Sequence, residues 1–243
     1  MAKISILGIK IDKIDTKKAL LKIDEFIKNG KPHQIVTVNP EFVMMAQSDK
    51  EFKKVINGAD LAIADGVGII WASKILSKKP LKERVTGTDL IPALAKLSAK
   101  KNYRLFFLGA DEGIGERTAK NLKKQFPKMQ IAGCYCGSPY DLETLEKVKK
   151  AQPDVLFVAF GAPKQEKWIN KYKNSLGIPV MLGVGGAFDY ISGKIPRAPE
   201  NIRSTGFEWL YRLIKQPWRS KRQLALIKFA ILVLTKKLGR LNK

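Results

Sequence analysis

The sequence predicts an α/β fold: a Rossmann-like parallel sheet with helices on both faces, followed by a basic helical C-terminal appendage. Short apolar segments alternate with helical patterns along the first 195 residues, as in proteins built from βα units. The segment Tyr103 to Leu108 is almost entirely apolar, which is typical of a central parallel strand buried on both faces. After Pro196 the composition shifts to 12 Lys and Arg against 2 Glu. We therefore expect a core domain over residues 1–195 and a membrane-targeting appendage over residues 196–243.

The spacing of apolar residues assigns the elements of the core in order. The predicted strands are Lys3 to Ile11 (a strand or a hairpin), His33 to Val38, Ala59 to Ala64, Tyr103 to Leu108, Met129 to Ala132, Val155 to Phe160 and Ile178 to Leu182. The predicted helices are Thr16 to Asn29, one that starts at Pro40, one that follows Gly68, Leu90 to Lys100, Glu116 to Phe126, Leu142 to Lys150 and Gln165 to Asn174.

Polar side chains follow two strands of this predicted sheet. Thr37 and Asn39 lie at the end of the strand His33 to Val38, and they point to the same face of an extended segment. Asp65 follows the next strand and precedes a glycine turn. Asn39 and Asp65 either cap the helices that follow them or face a crevice, where a carboxylate such as Asp65 can act as a general base.

Glycine turns follow the later strands. The stretch Gly161-Ala-Pro-Lys-Gln-Glu-Lys-Trp168 opens a helix, and a helix N-terminus at a sheet edge favours an anion. Gln165 and Glu166 sit too early in this helix to be core residues, so we expect at least one of them to face the crevice. Gly185 and Gly186, in the loop that ends at Asp189, allow a ligand to approach the backbone closely. For this second loop a phosphate or nucleotide site is favoured over a plain loop, whereas the Gly161 stretch by itself is equally consistent with a capped helix that carries solvated polar residues.

Two further segments have more than one interpretation. Arg84 precedes a turn glycine and is either a solvated surface cation or an anion ligand. The glycines from Gly109 to Gly115 are spaced G-x-x-x-G-x-G, which departs from the G-x-G-x-x-G fingerprint of dinucleotide-binding proteins. We therefore expect no nicotinamide cofactor and keep Gly109 as a candidate ligand-binding residue.

The composition limits the chemistry. The chain carries a net charge of +23, which suits nucleic acid, an anionic membrane or a phosphorylated substrate. Cys134 and Cys136, with a single histidine elsewhere, cannot form a four-ligand zinc site without carboxylates, and we interpret them as reduced thiols. The sequence contains no D-x-D pair, and no apolar leader follows the first methionine. We expect a cytoplasmic protein without a metal site.

The tail combines apolar and basic residues. Phe207, Leu210, Tyr211, Ile214 and Trp218 form one apolar stripe on a predicted helix. The next apolar run, Leu224 to Leu234, is about half of the ~20 residues needed to span a bilayer. Basic clusters flank this run, as in segments that lie at the anionic inner leaflet. We expect the protein to be peripheral on the inner face of the cell membrane.

These motifs, in this order, resemble the WecG/TagA/CpsF family of glycosyltransferases, and most closely its TagA branch. The resemblance rests on Ala64-Asp-Gly-Val-Gly68, Arg84-Val-Thr-Gly-Thr-Asp89, Gly161 to Trp168, Gly183-Val-Gly-Gly-Ala-Phe-Asp-Tyr190, Ser192-Gly193, Arg197-Ala-Pro199 and Phe207-Glu-Trp-Leu-Tyr-Arg-Leu213. It implies transfer of N-acetylmannosamine from a UDP donor to GlcNAc-diphosphate-undecaprenol, in the synthesis of the wall teichoic acid linkage unit.

The resemblance also implies roles for individual residues. Asp65 would be the base that deprotonates the acceptor hydroxyl in an inverting, metal-independent displacement. Thr37, Asn39 and Gln165 would hold the sugars, and Gly185 to Asp189 would hold UDP. The tail's arginines would cover the diphosphate; they are Arg212, Arg219 and Arg222.

An alternative from another class is a basic nucleic-acid-binding protein with a Rossmann-like core. It would carry the same charge, but the sequence contains no recognised nucleic-acid-binding motif and its apolar tail has no part in such a function. We therefore expect no nucleic-acid partner. The sequence leaves the oligomeric state open, including a homo-oligomer.

Overall fold

The computed structural model of the protein describes residues 1–205, 208–215 and 220–241. It confirms an α/β fold with a parallel sheet flanked by helices. The strands are β1 (Lys3–Ile6), β2 (Ile9–Asp12), β3 (His33–Val38), β4 (Leu61–Ala64), β5 (Arg104–Gly109), β6 (Gln130–Tyr135), β7 (Val155–Ala159) and β8 (Val180–Gly183). β1 and β2 form an antiparallel hairpin, and the other six form one sheet in the order β4-β3-β8-β7-β5-β6. Every neighbouring pair in that sheet is parallel.

Twelve helices lie within the described residues. They are α1 (Thr16–Asn29), α2 (Pro40–Ser48), α3 (Lys50–Asn57), α4 (Val67–Leu76), α5 (Gly87–Lys101), α6 (Ile114–Gln125), α7 (Leu142–Ala151), α8 (Lys164–Leu176), α9 (Ala187–Ile191), α10 (Glu200–Thr205), α11 (Glu208–Lys215) and α12 (Ser220–Leu241). α5 begins three residues before the predicted start because Thr86 caps it, with its hydroxyl accepting a hydrogen bond from Asp89 N at 3.1 Å.

Successive strand residues point to opposite faces of the sheet and pack into separate apolar layers. In β5, Leu105 and Phe107 join a layer with residues of α1, α5, α6 and α9. Phe106 and Leu108 join a second layer with residues of α7 and α8. All four side chains are buried, which confirms the prediction of a strand covered on both faces.

The N-terminal hairpin covers the edge of the sheet at β4. The buried Asp12 carboxylate accepts a hydrogen bond from Ala62 N at 2.9 Å, and Lys3 Nζ lies 3.4 Å from the same carboxylate. A β4 amide that would otherwise face outward at the sheet edge is therefore satisfied by a side chain.

The last helix packs on the core beside the carboxyl edge of the sheet. α12 lies against α2 and α4, and its Phe229 and Val233 are buried in the apolar layer that those helices share. The opposite side of α12 exposes apolar side chains; they are Leu224, Ile227, Ile231, Leu234 and Leu238. Within the three described ranges, no helix combines the length and the apolar character needed to cross a membrane.

Candidate active site

The carboxyl ends of five parallel strands surround an open cavity of about 690 Å³. Its walls come from the loops after β3, β4, β5, β7 and β8, together with α2, α9, the first turns of α5 and α8, and one residue of α12. Ligands of open α/β sheets bind in such a position, outside the carboxyl ends of the strands. Most of the predicted site residues line this cavity; they are Thr37, Asn39, Asp65, Gln165, Gly185, Gly186 and Asp189.

Thr37, Asn39 and Asp65 form the part of the wall that follows β3 and β4. Thr37 is almost fully buried, and its hydroxyl lies 3.5 Å from the carbonyl oxygen of Gly183, to which it donates. Asn39 lines the cavity and also caps α2, since its Oδ1 accepts from Phe42 N at 3.0 Å. Both interpretations of Asn39 therefore apply.

Asp65 extends from the end of β4. Its amide donates to the carbonyl oxygen of Val38 at 2.8 Å, so the pairing of β3 and β4 continues to this residue. α4 begins after Gly66 and has no side-chain cap. The cap interpretation of Asp65 is therefore wrong, and its half-buried carboxylate lies on the cavity wall.

Gln165 joins the two glycine loops of the site. Its Oε1 accepts from Gly161 N at 3.0 Å and from Gly185 N at 3.1 Å, so one side-chain oxygen connects the loops after β7 and β8. Its Nε2 donates to Glu166 Oε1 at 2.6 Å. Both the oxygen and the nitrogen of the Gln165 amide are thus hydrogen-bonded to other protein groups. This geometry favours a role for Gln165 in positioning the loops after β7 and β8.

Glu166 is buried beneath Gln165. Its side chain has no solvent exposure, and burial raises the pKa of its carboxyl group to about 7. Within the described part of the chain, Glu166 Oε2 has no hydrogen-bond partner. The expectation that Gln165 and Glu166 lie too early in the helix to be core residues is wrong, because the end of β8 covers this turn. A Cβ atom at Gly183 would stand 2.5 Å from each of the two side chains, so glycine is required there.

The loop after β8 and the short helix α9 form the opposite wall. Gly185 has a φ of +51°, which favours glycine, and no atom lies within 4 Å of the position of its absent Cβ, so its backbone is approachable. Asp189 and Tyr190 follow in α9. Lys194 also lines the cavity and forms ion pairs with Asp111, after β5, and with Asp189.

Arg84 and Gly109 lie outside the described lining of the cavity. The charge of Arg84 acts on Asp89: burial would raise the pKa of that carboxyl, but hydrogen bonds from Thr86 and Arg197 and the two arginine charges lower it. Gly109 has a φ of +87° and packs so closely on β7 that a Cβ would stand 2.9 Å from the ring of Phe160. Local packing therefore accounts for this glycine.

The three arginines predicted for the diphosphate lie where the structure gives no side-chain positions. Arg219 is outside the described residues, and the side chains of Arg212 and Arg222 are outside them as well, although α11 and α12 include their backbones. The appendage nevertheless reaches the site, because Ala225 of α12 lines the cavity.

Some lining residues were not predicted from the sequence. Glu41, Phe42, Met44 and Met45 come from α2, and Lys194 follows α9. The four residues of α2 could have been predicted from the sequence, because this helix directly follows the motif Thr37-Val38-Asn39-Pro40. Among the described residues, no three His, Cys, Asp or Glu side chains form a group that could hold a metal ion.

The structure is that of an α/β protein with a candidate substrate site at the carboxyl edge of a parallel sheet, where a carboxylate and two glycine-rich loops surround one cavity. The glycosyl transferase WecG/TagA/CpsF family matches residues 4–243, and the chain belongs to this family.

Three bacterial relatives are named N-acetylglucosaminyldiphosphoundecaprenol N-acetyl-beta-D-mannosaminyltransferase. The chain is 36% identical to the protein of Bacillus spizizenii, over 86% of this chain and 81% of the relative. It is 35% identical to that of Bacillus subtilis, over 82% and 78%. It is 34% identical to that of Staphylococcus aureus strain MRSA252, over 88% and 85%. The chain is thus a glycosyltransferase.

Proposed function

We propose that this enzyme transfers N-acetylmannosamine from UDP-ManNAc to GlcNAc-diphosphate-undecaprenol, the linkage step of wall teichoic acid synthesis. The names of the three relatives support this reaction. The observation that carries the proposal is the position of Asp65, a carboxylate on the wall of a cavity that also holds two glycine loops. A glycosyl transfer by direct displacement needs one base and a site for the nucleotide leaving group.

The proposed reaction is a single inverting displacement. The acceptor hydroxyl oxygen attacks the anomeric carbon of the donor sugar, while Asp65 takes the hydroxyl proton. The bond between that carbon and the UDP oxygen breaks, and its electron pair leaves with UDP. Because attack and departure occur on opposite faces of the carbon, its configuration inverts. Thr37 and Asn39 hold the sugars beside Asp65, and the loop from Gly185 to Asp189 holds UDP.

The cavity has two chemically different sides that suit the two substrates. The loops after β7 and β8 give a polar side, where the UDP donor binds in this proposal. Phe42, Met44, Met45 and Ala225 give an apolar side between α2 and α12. A lipid-linked acceptor enters along the apolar side, so that its sugar hydroxyl meets Asp65 between the two.

The appendage brings this site to the membrane in our proposal. The exposed apolar side of α12 lies on an anionic inner leaflet, and the exposed Lys228 and Lys237 flank it. Arg212, Arg219 and Arg222 then face the diphosphate and stabilise the departing UDP without a divalent metal. The enzyme is a peripheral protein of the cytoplasmic membrane face.

Mass-spectrometric product analysis tests the reaction. The full-length protein is incubated with a short-chain GlcNAc-diphosphate-polyprenol and, separately, with UDP-ManNAc, UDP-GlcNAc and UDP-glucose. We expect a product one N-acetylhexosamine heavier only with UDP-ManNAc, with a β linkage by NMR. A product that retains the donor's α configuration would contradict the inverting mechanism. Transfer from UDP-glucose alone would contradict the proposed donor.

A further inference from the structure

The described lining of the cavity is acidic, although the chain as a whole is strongly basic. Four lining residues carry carboxylates; they are Glu41, Asp65, Asp111 and Asp189. Among the described lining residues, Lys194 alone carries a positive charge. A nucleoside diphosphate is an anion, so a cation close to its phosphates would strengthen its binding in this acidic cavity, beside the backbone N–H groups of the glycine loops.

The backbone around Lys194 is fixed to the wall that holds the Gly185 loop. Ile195 N donates to the carbonyl oxygen of Asp189 at 3.0 Å, and Lys194 N donates to Ser192 Oγ at 3.4 Å. Gly193 has a φ of +78°, which turns the chain back toward α9. The backbone of Lys194 therefore has a defined position beside Asp189, while its long side chain can still change rotamer.

The Lys194 ammonium forms ion pairs with carboxylates that it can leave. Lys194 Nζ donates to Asp111 Oδ2 and lies 3.8 Å from Asp189 Oδ1. The Asp111 side chain is 77% exposed, so water solvates it when the lysine moves away. Exposed pairs of this kind contribute little to stability. The hydrogen bond to Asp111 raises the pKa of Lys194, which keeps the ammonium charged.

The geometry points to Lys194 as the residue that binds the phosphates of the nucleotide donor, exchanging Asp111 for a phosphate oxygen when the donor enters. A diphosphate offers several charged acceptors to one ammonium, whereas Asp111 offers a single solvated carboxylate. The proposal rests on the proposed function, because it takes a nucleoside diphosphate as the ligand. It adds a cation from the core domain to the arginines of the appendage.

Titration calorimetry with uridine, UMP and UDP tests this role on the full-length protein without lipid. We expect the wild-type protein to bind UDP more tightly than uridine. Lys194→Met should weaken UDP binding roughly ten- to hundredfold, the scale of a hydrogen bond between charged groups, and leave uridine affinity unchanged. Lys194→Arg should retain most of the UDP affinity. Asp111→Asn should bind UDP at least as tightly as the wild type, because a competing carboxylate is removed.

Lys147→Met is the matched control, since Lys147 forms an ion pair with Glu143 on α7 and has a similarly exposed side chain. It should bind all three ligands like the wild type. If Lys194→Met weakens uridine and UDP equally, or if Asp111→Asn loses UDP affinity as Lys194→Met does, Lys194 only holds the loop in place. Unchanged UDP binding by Lys194→Met also overturns the inference. A wild-type protein that binds none of the ligands would instead overturn the proposed nucleotide donor.

Discussion

Glu166 is a carboxyl group without solvent contact, one residue away from the side chain that joins the two glycine loops. Its raised pKa means that the folded protein keeps a proton that the unfolded chain loses near the ordinary value of 4.5. The neutral carboxyl accepts the Gln165 amide hydrogen, and this bond orients Gln165 Oε1 toward Gly161 N and Gly185 N. Glu166 is therefore a positioning residue in our interpretation.

The pH dependence of stability tests the state of Glu166. Between pH 4.5 and about 7 the folded state binds more protons at this residue, so the free energy of unfolding should fall as pH rises. Glu166→Gln should remove about 3 kcal/mol of that fall. Denaturant unfolding at pH 5 and pH 8 measures it, with the exposed Glu143→Gln as control. The same slope in Glu166→Gln and wild type would contradict a raised pKa at Glu166.

The proposed role of Asp65 also concerns a single residue, because this carboxylate accepts one proton from the acceptor hydroxyl. Asp65→Asn should lower the turnover number by about 100-fold or more, the usual contribution of a general base, and leave UDP affinity nearly unchanged. Steady-state kinetics and UDP calorimetry measure the two effects. Asp141→Asn, an exposed aspartate at the start of α7, is the control. Activity of Asp65→Asn within a few-fold of wild type would remove Asp65 from this role.

At the scale of the element, α12 has two apolar sides with different surroundings. Phe229 and Val233 hold the helix on α2 and α4. Leu224, Ile227, Ile231, Leu234 and Leu238 follow at steps of three and four residues, so they form one exposed stripe. A stripe of this kind on a monomeric surface is typical of an interaction site.

Flotation with anionic liposomes tests the stripe. The double substitution Ile231→Glu and Leu234→Glu should abolish flotation, because it places two negative charges where the lipid would lie. The folded core should persist, since both side chains are exposed. Leu21→Glu, a similar change on the exposed side of α1, should float like the wild type. If the double variant floats normally but loses self-association in sedimentation, the stripe instead binds a second copy of the chain.

At the scale of the whole molecule, the distribution of charge decides which groups balance the negative charge of the departing UDP. The acidic lining of the cavity and the basic appendage meet where Ala225 reaches the site. We expect the arginines of the appendage to balance the charge of UDP, so that the transfer rate stays constant when EDTA is added. Loss of activity with EDTA that magnesium restores would contradict metal independence.

Arg212→Ala, Arg219→Ala or Arg222→Ala should lower the rate by about 100-fold for whichever arginine faces the leaving group.

The sequence by itself determined the fold class and the order of the elements. Periodicity predicted Thr16 to Asn29 and His33 to Val38 with the bounds that the structure has. Such patterns are local, because burial against a sheet imposes the spacing of apolar residues within each segment. Polar or glycine residues marked the ends of β3, β4 and β8, and most of the residues predicted for the site therefore line the cavity.

Only the tertiary structure decided which residues meet. Glu166 has the local pattern of a solvated residue in a first helical turn, yet β8 covers it, and no local pattern encodes that contact. Gly109 looked like part of a ligand loop, but it pairs across the sheet with Ala159, and a Cβ there would stand 2.9 Å from the ring of Phe160. The hydrogen bond from Lys194 to Asp111 likewise joins two residues that are far apart in the sequence. Burial, ion pairs and the sign of the charge in a cavity depend on contacts between distant segments, and folding alone brings those segments together.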